Sequence, residues 1–185
     1  KFISNDFENF QPGKSRVFYS GPFWDDKEVK AAVTAFLTGK WLPSGENVVK
    51  FERKFSKYIN VNSSIMVNSG SSANLLMLEA MKKVFGWKDG DEIIVSPVGF
   101  PTTIAPIVQV NITDKTKGIF LSPVLGNPPD MDRLMEICDK YNIKLILDGC
   151  DSLGTTWKGK SLTEYAEASS CSFYPAHHIT CGEGG

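Results

Sequence analysis

The spacing of apolar residues in the first third of the chain predicts two amphipathic helices. Apolar residues recur three to four positions apart between Asp25 or Asp26, either of which suits an N-cap, and Gly39, which suits a helix stop. A second helix is expected near residues 47–58. Residues 1–16 are polar and predict a loosely held N-terminal arm.

After residue 60, short apolar runs alternate with segments of helical periodicity. Strands are expected at residues 64–67, 92–96, 118–121 and 144–147, and helices at residues 73–85 and from Asp130 onward. Short, nearly continuous apolar strands separated by helices are typical of a mostly parallel α/β sheet that is covered on both faces.

Composition narrows the range of functions. The chain of 185 residues is 42% hydrophobic with a net charge of −1, and it has no basic run of the kind that binds nucleic acid. No apolar run is long enough to span a membrane, and the polar start is no signal peptide, so we expect a cytoplasmic protein without a membrane or nucleic-acid partner. Cysteines 138, 150, 171 and 181 show no C-x-x-C spacing and are interpreted as buried free thiols, with no metal site.

Two segments have the composition of ligand-binding turns. Gly70, Ser71 and Ser72 fall at a predicted helix N-terminus, where backbone N–H groups and the helix dipole favour a phosphate; simple N-capping would explain the same residues. Asp148 ends an apolar strand, at the edge where open α/β sheets bind ligands. Capping of a turn is the alternative interpretation of this aspartate.

Two adjacent histidines, His177 and His178, lie between the pair Ser172-Phe173 and the glycine-rich end at residues 182–185. An imidazole transfers protons near neutral pH, which suits acid–base catalysis. Ordinary loop histidines would give the same local pattern.

The segment 172–185 resembles the cofactor segment of the DegT/DnrJ/EryC1/StrS family of pyridoxal-phosphate (PLP) sugar aminotransferases. This resemblance implies the large domain of a fold type I, aspartate aminotransferase-like PLP enzyme, with a mostly parallel seven-stranded sheet. Residues 17–185 would form part of that PLP-binding domain, and the small C-terminal domain would lie outside this chain. The chain is therefore interpreted as incomplete, with further residues of its relatives missing after Gln109 as well.

In ordinary members of the family, the position of His177 is a lysine that holds PLP as an imine, which an imidazole cannot do. The pattern is most similar to the branch that removes the 3-hydroxyl from nucleotide-linked 4-keto-6-deoxyhexoses. The residues that the resemblance assigns to the cofactor are Gly70, Ser71, Ser72 and Ser172 at the phosphate, Phe100 on the ring, Asp148 at the pyridine nitrogen and Asp151 near the 3′-oxygen.

The resemblance implies a 3-dehydrase of dideoxysugar and O-antigen lipopolysaccharide biosynthesis that uses PLP and its amine form (PMP), with His177 as the acid–base group at C4′. Its substrate would be a CDP- or GDP-linked 4-keto-6-deoxyhexose. The CDP branch adds a [2Fe-2S] cluster, bound outside this chain, and a reductase partner, whereas the GDP branch uses glutamate. A homodimer is expected. A PLP-dependent sugar aminotransferase and a non-catalytic homologue are the alternatives.

Overall fold

Residues 10–17, 25–39, 45–96, 98–99 and 114–185 are described by the computed structural model. The helices are α1 (Asp26–Thr38), α2 (Glu46–Tyr58), α3 (Gly70–Phe85) and α4 (Met131–Tyr141). The strands are β1 (Glu92–Val95), β2 (Thr116–Leu121), β3 (Lys144–Asp148), β4 (Thr156–Trp157), β5 (Lys160–Ser161) and β6 (Ala168–Ser170). No helix among these residues is both long and apolar enough to cross a membrane.

A parallel sheet of order β1-β2-β3-β6 forms the centre of the fold. Successive side chains of a strand point to opposite faces, so each apolar strand supplies two cores. Phe120 and Ile146 pack on one face against α3, while Leu145 and Leu147 pack on the other face against Met131 of α4. The expectation of a mostly parallel sheet covered on both faces is confirmed.

Helix boundaries follow the capping residues. Asp25 is the N-cap of α1 and forms a capping box with Glu28, and Gly39 follows its end, as expected. Asp130 caps α4 by accepting a hydrogen bond from the Arg133 N–H. The third helix was expected from residue 73, but α3 begins at Gly70, because the Ser69 hydroxyl caps it.

One predicted strand is wrong and three were missed. Residues 64–67 belong to no strand: Val67 exchanges two backbone hydrogen bonds with Gly185, at 2.7 and 3.0 Å, and the Met66 N–H donates to the Glu52 side chain. The β6 strand has small and polar residues and so gives no apolar signal. The β4–β5 hairpin turns at Lys158 and Gly159, whose φ angles of 49° and 82° suit a type I′ turn.

Four strands of the central sheet lie in the part of the chain that the structure describes. The predicted total of seven strands refers to the sheet of the complete large domain, and it stays a prediction. The same holds for the division at residue 16 into an arm and a large domain, since residues 1–9 and 18–24 lie outside the described residues.

Candidate active site

A cavity of about 400 Å³ opens at the carboxyl ends of the parallel strands. Asp148 is the last residue of β3, and Ser122 and Ser172 follow β2 and β6. Parallel strands end at one edge of the sheet, which is where open α/β folds bind ligands. The described residues that line the cavity are Ser69, Gly70, Ser71, Asn74, Ser122, Asp148, Cys150, Asp151, Ser172, Tyr174, Ala176, His177, Glu183 and Gly184.

The N-terminus of α3 forms one end of the cavity. Ser69 accepts a hydrogen bond from the Ser72 N–H at 3.2 Å, which holds the first turn in place. A Cβ on Gly70 would lie 2.5 Å from the Ser172 Cβ, so only glycine lets the helix start approach this serine so closely. The positive end of the helix dipole and the Ser172 hydroxyl therefore meet in a small space that suits a phosphate.

Asp148 lines the cavity and is buried, with 3% of its surface exposed. Its two carboxylate oxygens accept hydrogen bonds from the Asn74 side-chain amide at 3.0 Å and from the Cys150 N–H at 3.2 Å. A carboxylate held in this way keeps one rotamer and suits a partner for a protonated ring nitrogen.

His177 faces the same cavity from the loop after β6. Its Nδ1 lies 3.5 Å from an oxygen of Asp151, and its ring packs edge-on against Tyr174 with centroids 6.3 Å apart. A carboxylate beside Nδ1 favours the tautomer that carries a proton there, which leaves Nε2 to exchange protons. His178 is exposed and does not line the cavity.

The glycine-rich end of the chain folds back onto the start of α3. Phe173 donates its N–H to Gly184 at 2.9 Å, and Cys181 donates to Phe173 at 3.1 Å. A Cβ on Gly185 would lie 2.4 Å from the Gly70 nitrogen, so this position tolerates no side chain. The loop that carries His177 is thereby fixed at both its ends.

All four cysteines are free, as expected, but they differ in burial. Cys138 is buried in the core, whereas Cys181 is exposed, so the expectation of a buried thiol is wrong there. Burial and the neighbouring Asp148 carboxylate raise the pKa of the Cys150 thiol, and burial raises that of Cys171 to about 11. Both thiols are therefore neutral at physiological pH.

Six of the residues predicted from the sequence line this cavity: Gly70, Ser71, Asp148, Asp151, Ser172 and His177. Ser72 lies beside it and contributes its N–H to the cap of α3, and Phe100 lies outside the described residues. Sequence reasoning missed Asn74, Ser122, Tyr174 and Glu183. The sequence pattern could have identified Asn74, because a single amide on the apolar face of a helix needs a buried hydrogen-bond partner.

The residues present fit a PLP-type cofactor. The N-terminus of α3 beside the Ser172 hydroxyl suits a phosphate, and the carboxylate of Asp148 suits the ring nitrogen. Parallel strands covered by helices, with this cavity at their carboxyl edge, define the large domain of a PLP-dependent transferase of fold type I.

The chain belongs to the DegT/DnrJ/EryC1/StrS aminotransferase family, whose model matches residues 24–113 and 108–185. It is 38% identical to the lipopolysaccharide biosynthesis protein RfbH of Salmonella typhimurium, over 95% of this chain and 46% of that protein. It is 34% identical to the dTDP-4-dehydro-2,6-dideoxy-D-glucose 3-dehydratase of Saccharopolyspora spinosa, over 95% of this chain and 44% of that protein.

A solved structure with a similar fold is that of a GDP-4-keto-6-deoxymannose-3-dehydratase with bound GDP-perosamine, in a variant with histidine replaced by asparagine. Its TM-score is 0.81 at 32% identity, over 89% of this chain and 49% of that chain. This chain thus spans about half the length of the relatives it matches.

Proposed function

We propose that this protein removes the 3-hydroxyl from a nucleotide-diphosphate-linked 4-keto-6-deoxyhexose with the help of PLP in its amine form, PMP. The observation that carries the proposal is His177, which faces the cavity at the position where the resemblance implies the imine-forming lysine of ordinary members. The described residues that line the cavity include no lysine. A site of this composition holds its cofactor without a covalent bond.

The cofactor would be held by residues from three parts of the fold. Gly70, Ser71 and Ser172 would bind the phosphate, and Asp148 would face the pyridine nitrogen. When bound, PMP supplies an amine that condenses with the sugar ketone and a ring that accepts electrons. The Asp148 carboxylate supports that role because it favours a protonated ring nitrogen.

His177 would move the proton at the cofactor carbon C4′. Asp151 orients the imidazole through Nδ1, so that Nε2 acts as the base and afterwards as an acid towards the departing hydroxyl. A lysine at this position would compete for the cofactor aldehyde and divert the reaction to amino transfer. A histidine removes that competition, which favours dehydration over the aminotransferase alternative.

The substrate class is supported by relatives that act on dTDP- and GDP-linked sugars, and RfbH is named for lipopolysaccharide biosynthesis. The proposal specifies the diphosphate and the keto sugar of the substrate but not its nucleoside, so CDP-linked sugars belong to the same substrate class. A [2Fe-2S] cluster, a reductase partner and a role in O-antigen synthesis stay predictions.

The test is to supply the complete protein with PMP, glutamate and a 4-keto-6-deoxyhexose linked to GDP, dTDP or CDP. With the CDP sugar, a reducing system is included. We expect a 3-deoxy sugar by mass spectrometry, and no cofactor left on the denatured chain after borohydride reduction of the PLP-loaded protein. A 4-amino sugar with a pyridoxyl-lysine adduct would contradict the proposal and favour the aminotransferase.

A further inference from the structure

Three buried polar side chains form a hydrogen-bonded network that reaches the cavity through Asn74 and Asp148. The Ser170 hydroxyl donates to the Asn74 Oδ1 at 2.5 Å, and the Asn74 amide donates to the Asp148 carboxylate at 3.0 Å. Asn74 comes from α3, Asp148 from β3 and Ser170 from β6. All three are at most 5% exposed, so water does not replace these contacts.

The chemistry of the partners fixes the orientation of the Asn74 amide. An ionised carboxylate only accepts hydrogen bonds, so the NH₂ group must face Asp148 and the carbonyl oxygen must face the Ser170 hydroxyl. Reversal of the amide would place oxygen against oxygen at Asp148. The hydrogen-bonded network therefore allows only one arrangement of the three side chains, and this arrangement holds Asp148 in one rotamer.

Asn74 also connects the start of α3 with Asp148. It lies one helical turn after Gly70, on the same side of α3, and both residues line the cavity. The helix whose N-terminus would bind the phosphate therefore also holds the Asp148 carboxylate. A bond that merely attached α3 to the sheet would not need to end on that carboxylate.

We propose that Asn74 is a positioning residue that fixes the Asp148 carboxylate relative to the phosphate end of the cofactor. This inference rests on the proposed function. Asn74 acts through Asp148, and its removal leaves a buried carboxylate oxygen without this donor. The loss changes how firmly Asp148 holds a protonated pyridine nitrogen, beyond any loss of stability.

The experiment uses the complete protein with PMP labelled with ¹⁵N in the ring. Asn74→Leu removes both hydrogen bonds of the network and leaves a side chain of similar volume. Ser170→Ala removes only the hydrogen bond between Ser170 and Asn74, which does not touch Asp148. Ser56→Ala is the matched control, because Ser56 is a buried hydroxyl that bonds to Ser64, away from the cavity. The readouts are the ¹⁵N shift of the ring nitrogen, the dissociation constant of PMP and the melting temperature.

We expect Asn74→Leu to move the ring nitrogen signal towards the unprotonated form and to weaken PMP binding roughly tenfold, the size of one lost hydrogen bond to a charged group. Ser170→Ala should do the same to a smaller extent, which keeps the test valid if Asn74→Leu folds poorly. Ser56→Ala should lower only the melting temperature.

An unchanged nitrogen signal in both Asn74→Leu and Ser170→Ala, with only a lower melting temperature, would overturn the inference. Asp148→Ala separates this failure from failure of the proposed function. If Asp148→Ala shifts the signal and Asn74→Leu does not, only the role of Asn74 is wrong. If neither shifts it, Asp148 is not the partner of the ring and the assignment of the site fails.

Discussion

The thiols near the cavity differ in how readily they ionise. Burial raises the pKa of all three thiols, with a further contribution from Asp148 at Cys150 and from Glu183 at Cys181. The pKa reaches about 11 at Cys171, and of the three only Cys181 is exposed, so the reagent reaches it most easily. Only a thiolate reacts with iodoacetamide. At pH 8, a thiol with a pKa of about 11 has a thiolate fraction on the order of a hundredfold lower than a thiol of ordinary pKa. We therefore expect Cys181 to be alkylated first in the native protein.

Peptide mass spectrometry after timed alkylation checks this expectation. Between pH 7 and 9.5 the rate at Cys171 should rise about tenfold per pH unit, because the pH stays below its pKa. In urea all four cysteines should react at similar rates, which serves as the control. Equal rates at Cys171 and Cys181 in the native protein at pH 8 would contradict the structure.

At the scale of single residues, the sequence predicts a side chain well when the backbone alone decides where it points. Asp148 is such a case, because the last residue of a parallel strand must emerge at the ligand edge. The placement of Asn74 and Tyr174 could not be predicted in this way. Asn74 bonds to Asp148, which is far away in the sequence, and Tyr174 contacts His177 within an irregular loop. The contact between Asp151 and His177 likewise depends on tertiary structure.

At the scale of elements, the helix starts provide a matched pair for mutation. Ser69 caps α3 at the cavity, and Asp130 caps α4, which packs on the sheet away from the cavity. Ser69→Ala and Asp130→Ala should each lower the free energy of unfolding by about 1 kcal/mol. Only Ser69→Ala should also weaken PMP binding, because its helix turn borders the proposed phosphate position.

Denaturant unfolding and PMP titration of both variants measure the two effects. Equal PMP affinity in the two variants, with equal loss of stability, would show that the α3 N-terminus does not hold the cofactor.

The elements themselves follow from local signals wherever those signals are strong. Asp25 with Glu28, and Asp130, mark helix starts within one residue. The strand expected at 64–67 fails because a strand needs a neighbouring ladder, which no local pattern specifies. β6 was missed for the opposite reason, since its pairing with β3 overrides a small, polar sequence.

At the scale of the whole molecule, we expect a homodimer. Leu75 and Leu76 of α3 are 59% and 48% exposed, on the helix whose start borders the cavity. Exposed apolar side chains on this helix suit a subunit interface. Leu75→Glu should therefore weaken the dimer, and Lys83→Gln, an equal charge change at an exposed position of the same helix, should not.

Analytical ultracentrifugation of the complete protein at micromolar concentration measures this. A monomeric wild-type protein that turns over substrate would contradict the expected dimer. A dimer unaffected by Leu75→Glu would place the interface elsewhere.

The proposed reaction depends on His177, which would move the proton at C4′ of the bound cofactor. The most direct measurement is the exchange of that hydrogen with solvent in PMP-loaded protein, followed by NMR together with formation of the 3-deoxy sugar. His177→Asn should retain PMP, because the phosphate end and Asp148 are unchanged, yet lose exchange by about 10²–10⁴-fold. His178→Asn, at the exposed neighbouring position, should exchange at nearly the wild-type rate. Exchange at the wild-type rate in His177→Asn would show that His177 is not the acid–base group at C4′.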